Sequence, residues 1–341
     1  MDEPDFESLL SEFDLRDMAG FTRNFVEDLK SALTVELDLE EETDWSGVLC
    51  LGMGGSGIGG AFISSILNKT SSIPIQTNPD YCIPGWVSEN TLVVACSNSG
   101  NTEETLEAAF EAQKRNATIT CVTSGGKLEE YALKKNFPLV KVPAGLPPRS
   151  QFGHSLLSLA WTLVRFGIFP ENLYSDLEAT HKSTRESVDN VVEKAEVVAD
   201  LVEGKSIHIY SDSHAECIAT RWRQQLNENS KILVNSMAFP ELNHNELVGW
   251  AAGGQNDVVI ILRTPEDYKR TQTRMAISAE IFQEMGSDVI FIDPDGENQM
   301  QRLMNLVFLG DHLSLILAER AGVDPVEIDN IIRLKNKLSD I

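Results

Sequence analysis

Short apolar runs separated by stretches of helical length organise this chain. The first run, Gly47-Val-Leu-Cys-Leu51, is followed by a glycine cluster and a helical stretch through Leu67, which reads as strand, loop, helix. The pattern repeats at Ile73 to Thr77, Leu92 to Cys96, Ile119 to Val122 and Leu139 to Val142. Strands that are apolar nearly throughout and alternate with helices predict a parallel sheet covered on both faces. A second set follows the helical stretch from about Asp176 to Val202: Ile207 to Tyr210, Ile232 to Val234, Val258 to Leu262 and Val289 to Ile292. Pairing Val48 with Ser206, Thr91 with Asn256 and Thr118 with Asp288 keeps the strands in order, at separations of 158, 165 and 170 residues. The expectation is an α/β chain of two similar doubly wound units. Residues 1–44 form an acidic, helical N-terminal segment, 45–172 a first unit, 173–202 a connecting helix and 203–341 a second unit.

Composition narrows the partners. The 28 basic and 52 acidic residues leave a net charge of −24, which opposes binding to nucleic acid phosphates and anionic membrane surfaces. Half of that excess lies in residues 1–44, so the rest of the chain carries an ordinary acidic balance. The five cysteines form no CxxC pair, and Cys50, Cys96 and Cys121 fall inside strand-like runs, as expected in a reducing cytosol. The N-terminus, MDEPDFESLL, lacks the basic and apolar regions of a signal peptide, and no run of about 18 apolar residues occurs. A cytoplasmic protein is expected.

Two loops carry candidate chemistry. Gly52-Met-Gly-Gly-Ser56-Gly-Ile-Gly-Gly60 follows the first strand, and Gly52, Gly54 and Gly57 fit the GxGxxG spacing of dinucleotide sites. The second strand, however, ends in Ile75-Gln-Thr77 with no acidic residue to hold a ribose. Two readings remain: backbone N–H groups and Ser56 facing an anion at a helix N-terminus, or glycines that serve tight strand-to-helix packing. The third strand ends in Ser97-Asn-Ser99-Gly-Asn-Thr102-Glu-Glu-Thr105. Hydroxyls on a glycine-bearing turn can surround a phosphate without a metal or a Walker lysine. Ordinary N-capping with a capping box accounts for Asn101 to Glu104 equally well, but not for Ser97 and Ser99 at the carboxyl end of a strand, where ligands of open α/β sheets gather.

Together, GMGGSG and SNSGNTEET resemble the sugar isomerase (SIS) domain, a flavodoxin-like family of phosphosugar isomerases and phosphosugar-binding regulators. The resemblance covers residues 45–165, with a more diverged copy over 203–341. It implies that Ser97, Ser99 and Thr102 cradle a sugar phosphate, with Gly55 and Ser56 nearby. Three further stretches, Leu146-Pro-Pro-Arg149, Arg221 to Lys231 and Phe239 to Glu246, extend the likeness along the chain. There the sequence resembles the bifunctional phosphoglucose/phosphomannose isomerases of archaeal type. That resemblance implies Glu228 as enediol base, His244 as the ring-opening residue, Arg149 as enediolate stabiliser and a C-terminal lysine as the remaining acid/base group. It also implies a homodimer, in which His244 serves its own or the partner subunit, and no cofactor. A non-catalytic phosphosugar sensor and an amino-sugar phosphate isomerase are the rival readings.

The residue chemistry agrees with that implication. Moving a proton between C2 and C1 of a sugar phosphate needs a base beside both carbons and a positive group for the enediolate. A glutamate is ionised at neutral pH, arginine stays protonated, and histidine can transfer a proton at the ring oxygen. Each residue also has a plain structural reading: a solvated helix end for Glu228, a core or surface histidine for His244, a loop brace for Arg149. Glu241 and Glu246 flank His244, yet no HExxH spacing or second histidine accompanies them, so no metal is expected. In the last helix Lys335 falls four residues after Ile331 and three after Ile332, on an apolar face expected to point inward, whereas Lys337 falls on the polar side.

Overall fold

The computed structural model describes residues 13–31, 44–169 and 173–340. Of the predicted acidic N-terminal segment, residues 1–12 and 32–43 lie outside the described residues. Between them runs α1 (Met18–Ser31). The Asp14 carboxylate accepts the N–H groups of Met18 and Ala19, each at 2.7 Å, and so satisfies two donors of its first turn.

The first sheet contains β1 (Gly47–Leu51), β2 (Ile75–Asn78), β3 (Thr91–Cys96), β4 (Thr118–Thr123) and β5 (Leu139–Lys141). They pair in parallel in the order β2-β1-β3-β4-β5. The helices between and after them are α2 (Gly54–Leu67), α3 (Glu103–Lys114), α4 (Gly126–Lys135) and α5 (Phe152–Arg165). Every residue of β1 and β3 is buried, as expected of parallel strands covered on both faces. On one face Leu49, Leu51, Val93, Ala95, Ile119 and Cys121 pack on Leu106, Ala109 and Ala112 of α3 and Leu128 and Ala132 of α4. On the other lies α2, where a Cβ added at Gly60 would sit 2.8 Å from Cys50 Cβ and 2.9 Å from Thr77 Cγ2. The packing role weighed for these glycines therefore holds at Gly60. The ring of Phe62 on α2 meets Phe152 on α5 edge-on at 5.7 Å.

After α6 (Leu173–Val202) come β6 (Ser206–Asp212), α7 (Glu216–Asn229), β7 (Asn235–Phe239), the short α8 (Glu246–Gly249), β8 (Asp257–Leu262), α9 (Lys269–Glu284) and β9 (Asp288–Ile292). The chain closes with α10 (Gln299–Ala321) and α11 (Asp329–Ser339). The second sheet is parallel with order β7-β6-β8-β9. This repeats the order of the first sheet without its fifth strand, as the aligned strand starts anticipated. The expectation at Ile232 to Val234 is corrected: that triplet is a connection, with Leu233 92% exposed, and the strand is the more polar Asn235–Phe239. An edge strand is half-covered, so its hydropathy is a weaker signal than that of the central strands.

Contacts divide the chain into two units. Among the described residues, one holds those between 23 and 186 with 296–301 and the first sheet; the other holds 13–22, 187–295 and 302–340 and the second sheet. Within the latter, Met18 is buried with Leu315 and Val326, and Arg16 pairs with Asp324 at 3.3 Å. Among the described residues, no helix is long and apolar enough to cross a membrane.

One close approach in this second unit sets up a test. Trp222 of α7 is fully buried and donates its indole N–H to the Leu306 carbonyl of α10 at 2.7 Å, and a Cβ added at Gly310 would lie within 2.3–2.5 Å of the indole ring. Replacing a helical glycine by alanine gains about 1 kcal/mol of propensity, whereas overpacking costs roughly 1–3 kcal/mol before the indole hydrogen bond is counted. Gly310→Ala is therefore expected to lower stability in urea unfolding; an unchanged or raised midpoint would show that α7 and α10 can separate without cost.

Candidate active site

In a doubly wound sheet of order 2-1-3-4-5 the crevice opens outside the carboxyl ends of the first and third strands, because their helices leave on opposite faces. Both loops singled out in the sequence converge there. Ser97, 1% exposed, shares a 2.9 Å hydrogen bond with Thr102 between their hydroxyls, and the Ser56 hydroxyl accepts the Asn98 N–H at 3.2 Å. Ser99 is exposed, and its hydroxyl accepts the Asn101 N–H at 3.2 Å. Gly100 has a φ of +66°, and a Cβ there would lie 1.8 Å from the Gly125 carbonyl oxygen, so the turn requires glycine.

The capping explanation for this turn is corrected. Thr102 occupies the N-cap position of α3 but makes no side-chain cap hydrogen bond, since its hydroxyl is turned toward Ser97. Met53, at the N-cap of α2, makes none either. Two helices thus start at one crevice without side-chain caps, and the first-turn N–H groups of an α-helix have no intrahelical acceptor. With hydroxyls at Ser56, Ser97, Ser99 and Thr102, this is a donor-rich pocket suited to a phosphate.

Arg149 belongs to the same unit and lies on a 3₁₀ turn, Pro148–Gln151, where it is 4% exposed. A Cβ added at Gly55 would come 2.7 Å from the Pro148 carbonyl oxygen and 3.0 Å from Arg149 Cα, so the glycine loop and the arginine turn are in backbone contact. Gln151 completes the arrangement. Its side-chain oxygen accepts from the Asn98 amide, and its amide donates to the Leu146 carbonyl at 3.3 Å. The continuation Ser150 to His154 matches no functional pattern in the sequence, yet Gln151 is what ties the Ser97 loop to the arginine turn.

The three acid/base candidates, Glu228, Lys335 and His244, are carried by the second unit. Glu228, half-buried, is the penultimate residue of α7. The flanking asparagines belong to the last helical turn: Asn229 donates to Ser314 Oγ at 2.9 Å, and the Asn227 side-chain oxygen accepts the Val234 N–H at 3.2 Å. Lys231, held at φ +59°, donates to the Glu228 carbonyl at 2.5 Å and to the Glu327 carbonyl at 2.8 Å. It thereby joins the end of α7 to the residues just ahead of α11, which carries Lys335. Lys335 does share a stripe with Ile331 and Ile332, but α11 has no buried residue and those two are 40% and 47% exposed. The inward orientation expected for this face is therefore corrected: periodicity identifies an apolar face, not what covers it.

His244 lies elsewhere in that unit. It is exposed and ends a 3₁₀ turn, Glu241–His244, directly after β7, hence at the carboxyl end of the sheet. Glu228 ends the helix that leads back to the start of β7, at the amino end. The five residues of β7 alone span about 16 Å. One chain therefore holds Glu228 and His244 at opposite ends of one sheet.

The second sheet has its own crevice, between β6 and β8, and the sequence reading named none of its residues. Asp212 closes β6, and its carboxylate accepts the His214 backbone N–H at 3.1 Å and lies 2.9 Å from His214 Nδ1. His214 Nε2 is 3.1 Å from the Thr264 hydroxyl, which donates to Asp267 at 2.8 Å. The carboxylates and the imidazole bring their ligand atoms within 4.8 Å of one another, but they are engaged with each other and with Thr264. Two buried carboxylates make this crevice less suited to an anion than the hydroxyl-lined one of the first unit. The only sequence signal was position, just beyond two strand ends.

Burial raises the pKa of Asp212, but the hydrogen bonds from the His214 ring and backbone outweigh it and hold the carboxyl at about 2, below its usual 3.8. Asp267 is pushed up, by burial first and then by the Asp212 charge. A depressed folded-state pKa contributes stability that is present above the unfolded value, about 3.9, and is lost as pH falls through the folded value. Asp212→Asn, which keeps the acceptor oxygen, is therefore expected to lower the thermal midpoint at neutral pH and flatten its fall between about pH 4 and 2. Parallel melting curves against pH for variant and parent would refute this.

Comparison with known proteins follows the same division. The SIS domain model matches residues 43–134, and the model described as bacterial phospho-glucose isomerase C-terminal SIS domain matches residues 191–338. The bifunctional phosphoglucose/phosphomannose isomerase of Caldicellulosiruptor bescii is 35% identical over 306 residues, covering 86% of this chain and 90% of the relative. Its namesake from Aquifex aeolicus is 35% identical over 299 residues, covering 87% and 91%. The solved C-terminal domain of glucosamine-fructose-6-phosphate aminotransferase from Francisella tularensis, 16% identical, superposes with a TM-score of 0.71 over 91% of this chain and 98% of that one, a likeness of fold. With relatives this similar over most of its length, the chain belongs to the bifunctional phosphoglucose/phosphomannose isomerase family.

Proposed function

We propose that this enzyme interconverts glucose 6-phosphate and mannose 6-phosphate with fructose 6-phosphate through a cis-enediolate, without a metal or cofactor. The observation that carries this reading is the donor-rich crevice in a chain of this family: two uncapped helix starts and the hydroxyls of Ser56, Ser97, Ser99 and Thr102. Gly55 lets the loop approach closely, and the hydroxyls and N–H groups hold the phosphate. His244 assists ring opening by moving a proton between the ring oxygen and O1. The Glu228 carboxylate then takes the C2 proton; the C2–H electron pair forms the C1–C2 double bond, and O1 gains the negative charge. Arg149 stabilises that charge, which exists only along the reaction path. To reach the ketose, the O2 proton passes to O1 with Lys335 serving as the remaining acid/base group, the O2 electron pair forms the C2=O2 bond, and the C1–C2 double-bond pair takes the proton back from Glu228 at C1. Removing the C2 proton erases the difference between glucose and mannose, so one enediolate serves both.

The opposite placement of Glu228 and His244 supports a homodimer in which His244 of the partner subunit completes each site. The exposed apolar stripe of α11 supports the same assembly. Five free cysteines and the acidic balance fit a cytoplasmic enzyme without nucleic acid or membrane partners.

In a coupled assay with chelator present, both aldose phosphates are expected to turn over, and glucosamine 6-phosphate is not; loss of activity restored by zinc would refute the metal-free mechanism. Glu228→Gln is expected to lower kcat by roughly 10²–10⁴-fold, and full turnover would instead favour a phosphosugar sensor with incidental activity. Ser97→Ala removes a hydrogen bond worth about 1.5–3 kcal/mol to a charged group, so KM is expected to rise at least tenfold. Glu228→Gln and His244→Ala homodimers, each inactive, are expected on subunit exchange to recover about a quarter of parental turnover, because mixed dimers hold one complete site. No recovery after verified exchange would place both residues in one subunit's site.

A further inference from the structure

The helix that ends at Glu228 is fastened to α10 by polar groups where an apolar seam would serve. Arg221, 2% exposed, donates from Nε and Nη2 to the two oxygens of Asp311, 4% exposed, at 3.0 and 2.6 Å. Gln225 adds its amide to Asp311 Oδ1 at 2.8 Å. One turn along, Asn229 donates to Ser314 Oγ, Ser314 Oγ to the Asp311 carbonyl at 2.7 Å, and Ser230 Oγ to the Ser314 carbonyl at 2.6 Å. Arg221, Gln225 and Asn229 are spaced by four and form one ridge of α7. Glu228, seven residues after Arg221, projects within about 20° of it around the helix axis.

A buried ion pair is a poor way to add stability, because desolvating both charges offsets most of their attraction, and apolar replacements of similar volume are often neutral or stabilising. Its attested advantage is registry, since donors and acceptors in fixed geometry admit one rotation and one translation of the helices they join. We propose that Asp311, through Arg221 and Gln225, is a positioning residue for Glu228: it fixes the rotation and height of α7 and thereby aims the carboxylate. The inference rests on the reading of Glu228 as the base. A base misplaced by about 1 Å costs on the order of 10²-fold in rate, which gives this registry a catalytic consequence.

The test is the full-length combined variant Arg221→Met, Gln225→Leu and Asp311→Leu, which leaves no member of the triad without its partner, assayed beside Glu228→Gln. The expected result is a melting temperature at or above that of the parent, a KM for fructose 6-phosphate within about twofold, and kcat lower by roughly 10–100-fold. A purely structural role would lower the melting temperature and leave kcat per folded molecule unchanged. If the combined variant does not fold, Ser314→Ala, which removes the acceptor of Asn229, is read by the same criteria, with a several-fold loss in kcat at constant KM expected. Parental kcat in the folded variant, with Glu228→Gln inactive, overturns the positioning role alone. Parental turnover by Glu228→Gln overturns the assignment of the base, and the positioning role with it.

Discussion

The constraint on which the first unit depends is the parallel pairing of β1 with β3 at the centre of the sheet. Because α2 lies on the Cys50 face and α3 on the Leu49 and Leu51 face, the two connections part at the carboxyl edge and leave a crevice that the strands themselves do not fill. The first turns of both helices start there, and of α2's first turn the Ser56 N–H already bonds the Met53 carbonyl at 3.1 Å. Side-chain capping would satisfy first-turn N–H groups at the expense of a ligand, and neither N-cap residue makes a cap hydrogen bond. The glycines then divide the work. Gly60 lets α2 lie on Cys50 and Thr77, Gly55 lets the loop touch the Pro148 to Arg149 backbone, and Gly100 makes the turn that faces Ser97 toward Thr102.

The second unit keeps the topology and changes the contents. Its corresponding crevice holds Asp212, His214, Thr264 and Asp267 in a closed hydrogen-bonded set, with one carboxyl held low and the other pushed up. Fold repetition therefore does not carry side-chain chemistry with it, because the same strand order presents hydroxyls and uncapped helix starts in one unit and a carboxylate–imidazole cluster in the other. None of the candidate acid/base residues of the second unit belongs to this hydrogen-bonded set; they lie at the end of α7, in the turn after β7 and on α11.

How much was legible in the sequence follows from which physical signal each feature leaves. Central parallel strands are buried on both faces, so β1, β3, β4, β6 and β8 stand out as apolar runs. The edge strand β7 is half-covered and polar at its start, and the more apolar Ile232 to Val234 nearby drew the assignment away from it. Ser97, Ser99 and Thr102 were identifiable because hydroxyls at a strand end have no structural reason to cluster. Gln151 and the Asp212 to Asp267 set were not, since their meaning lies in hydrogen bonds between residues 53 and 50 apart in the chain, Asn98 with Gln151 and His214 with Thr264. Lys335 was correctly placed on a stripe with Ile331 and Ile332, but a helical period carries no information about whether that stripe meets its own chain or another.

The polar seam between α7 and α10 shows why burial alone is a poor guide to purpose. Trp222 and Gly310 already bring the two helices into close contact, and Leu303, Val307 and Phe308 of α10 are buried without exposure. An apolar contact of that kind is tolerant, because side chains repack with little loss when a helix rotates or slides slightly. The Arg221–Asp311 pair is intolerant of the same displacement: a rotation that separates donor from acceptor leaves a charge buried without its partner, at a cost of several kcal/mol. The apolar contacts thus hold the helices together, and the polar ones select among the nearly equivalent ways of doing so. For a helix whose penultimate residue is a candidate base, that selection is where packing becomes chemistry.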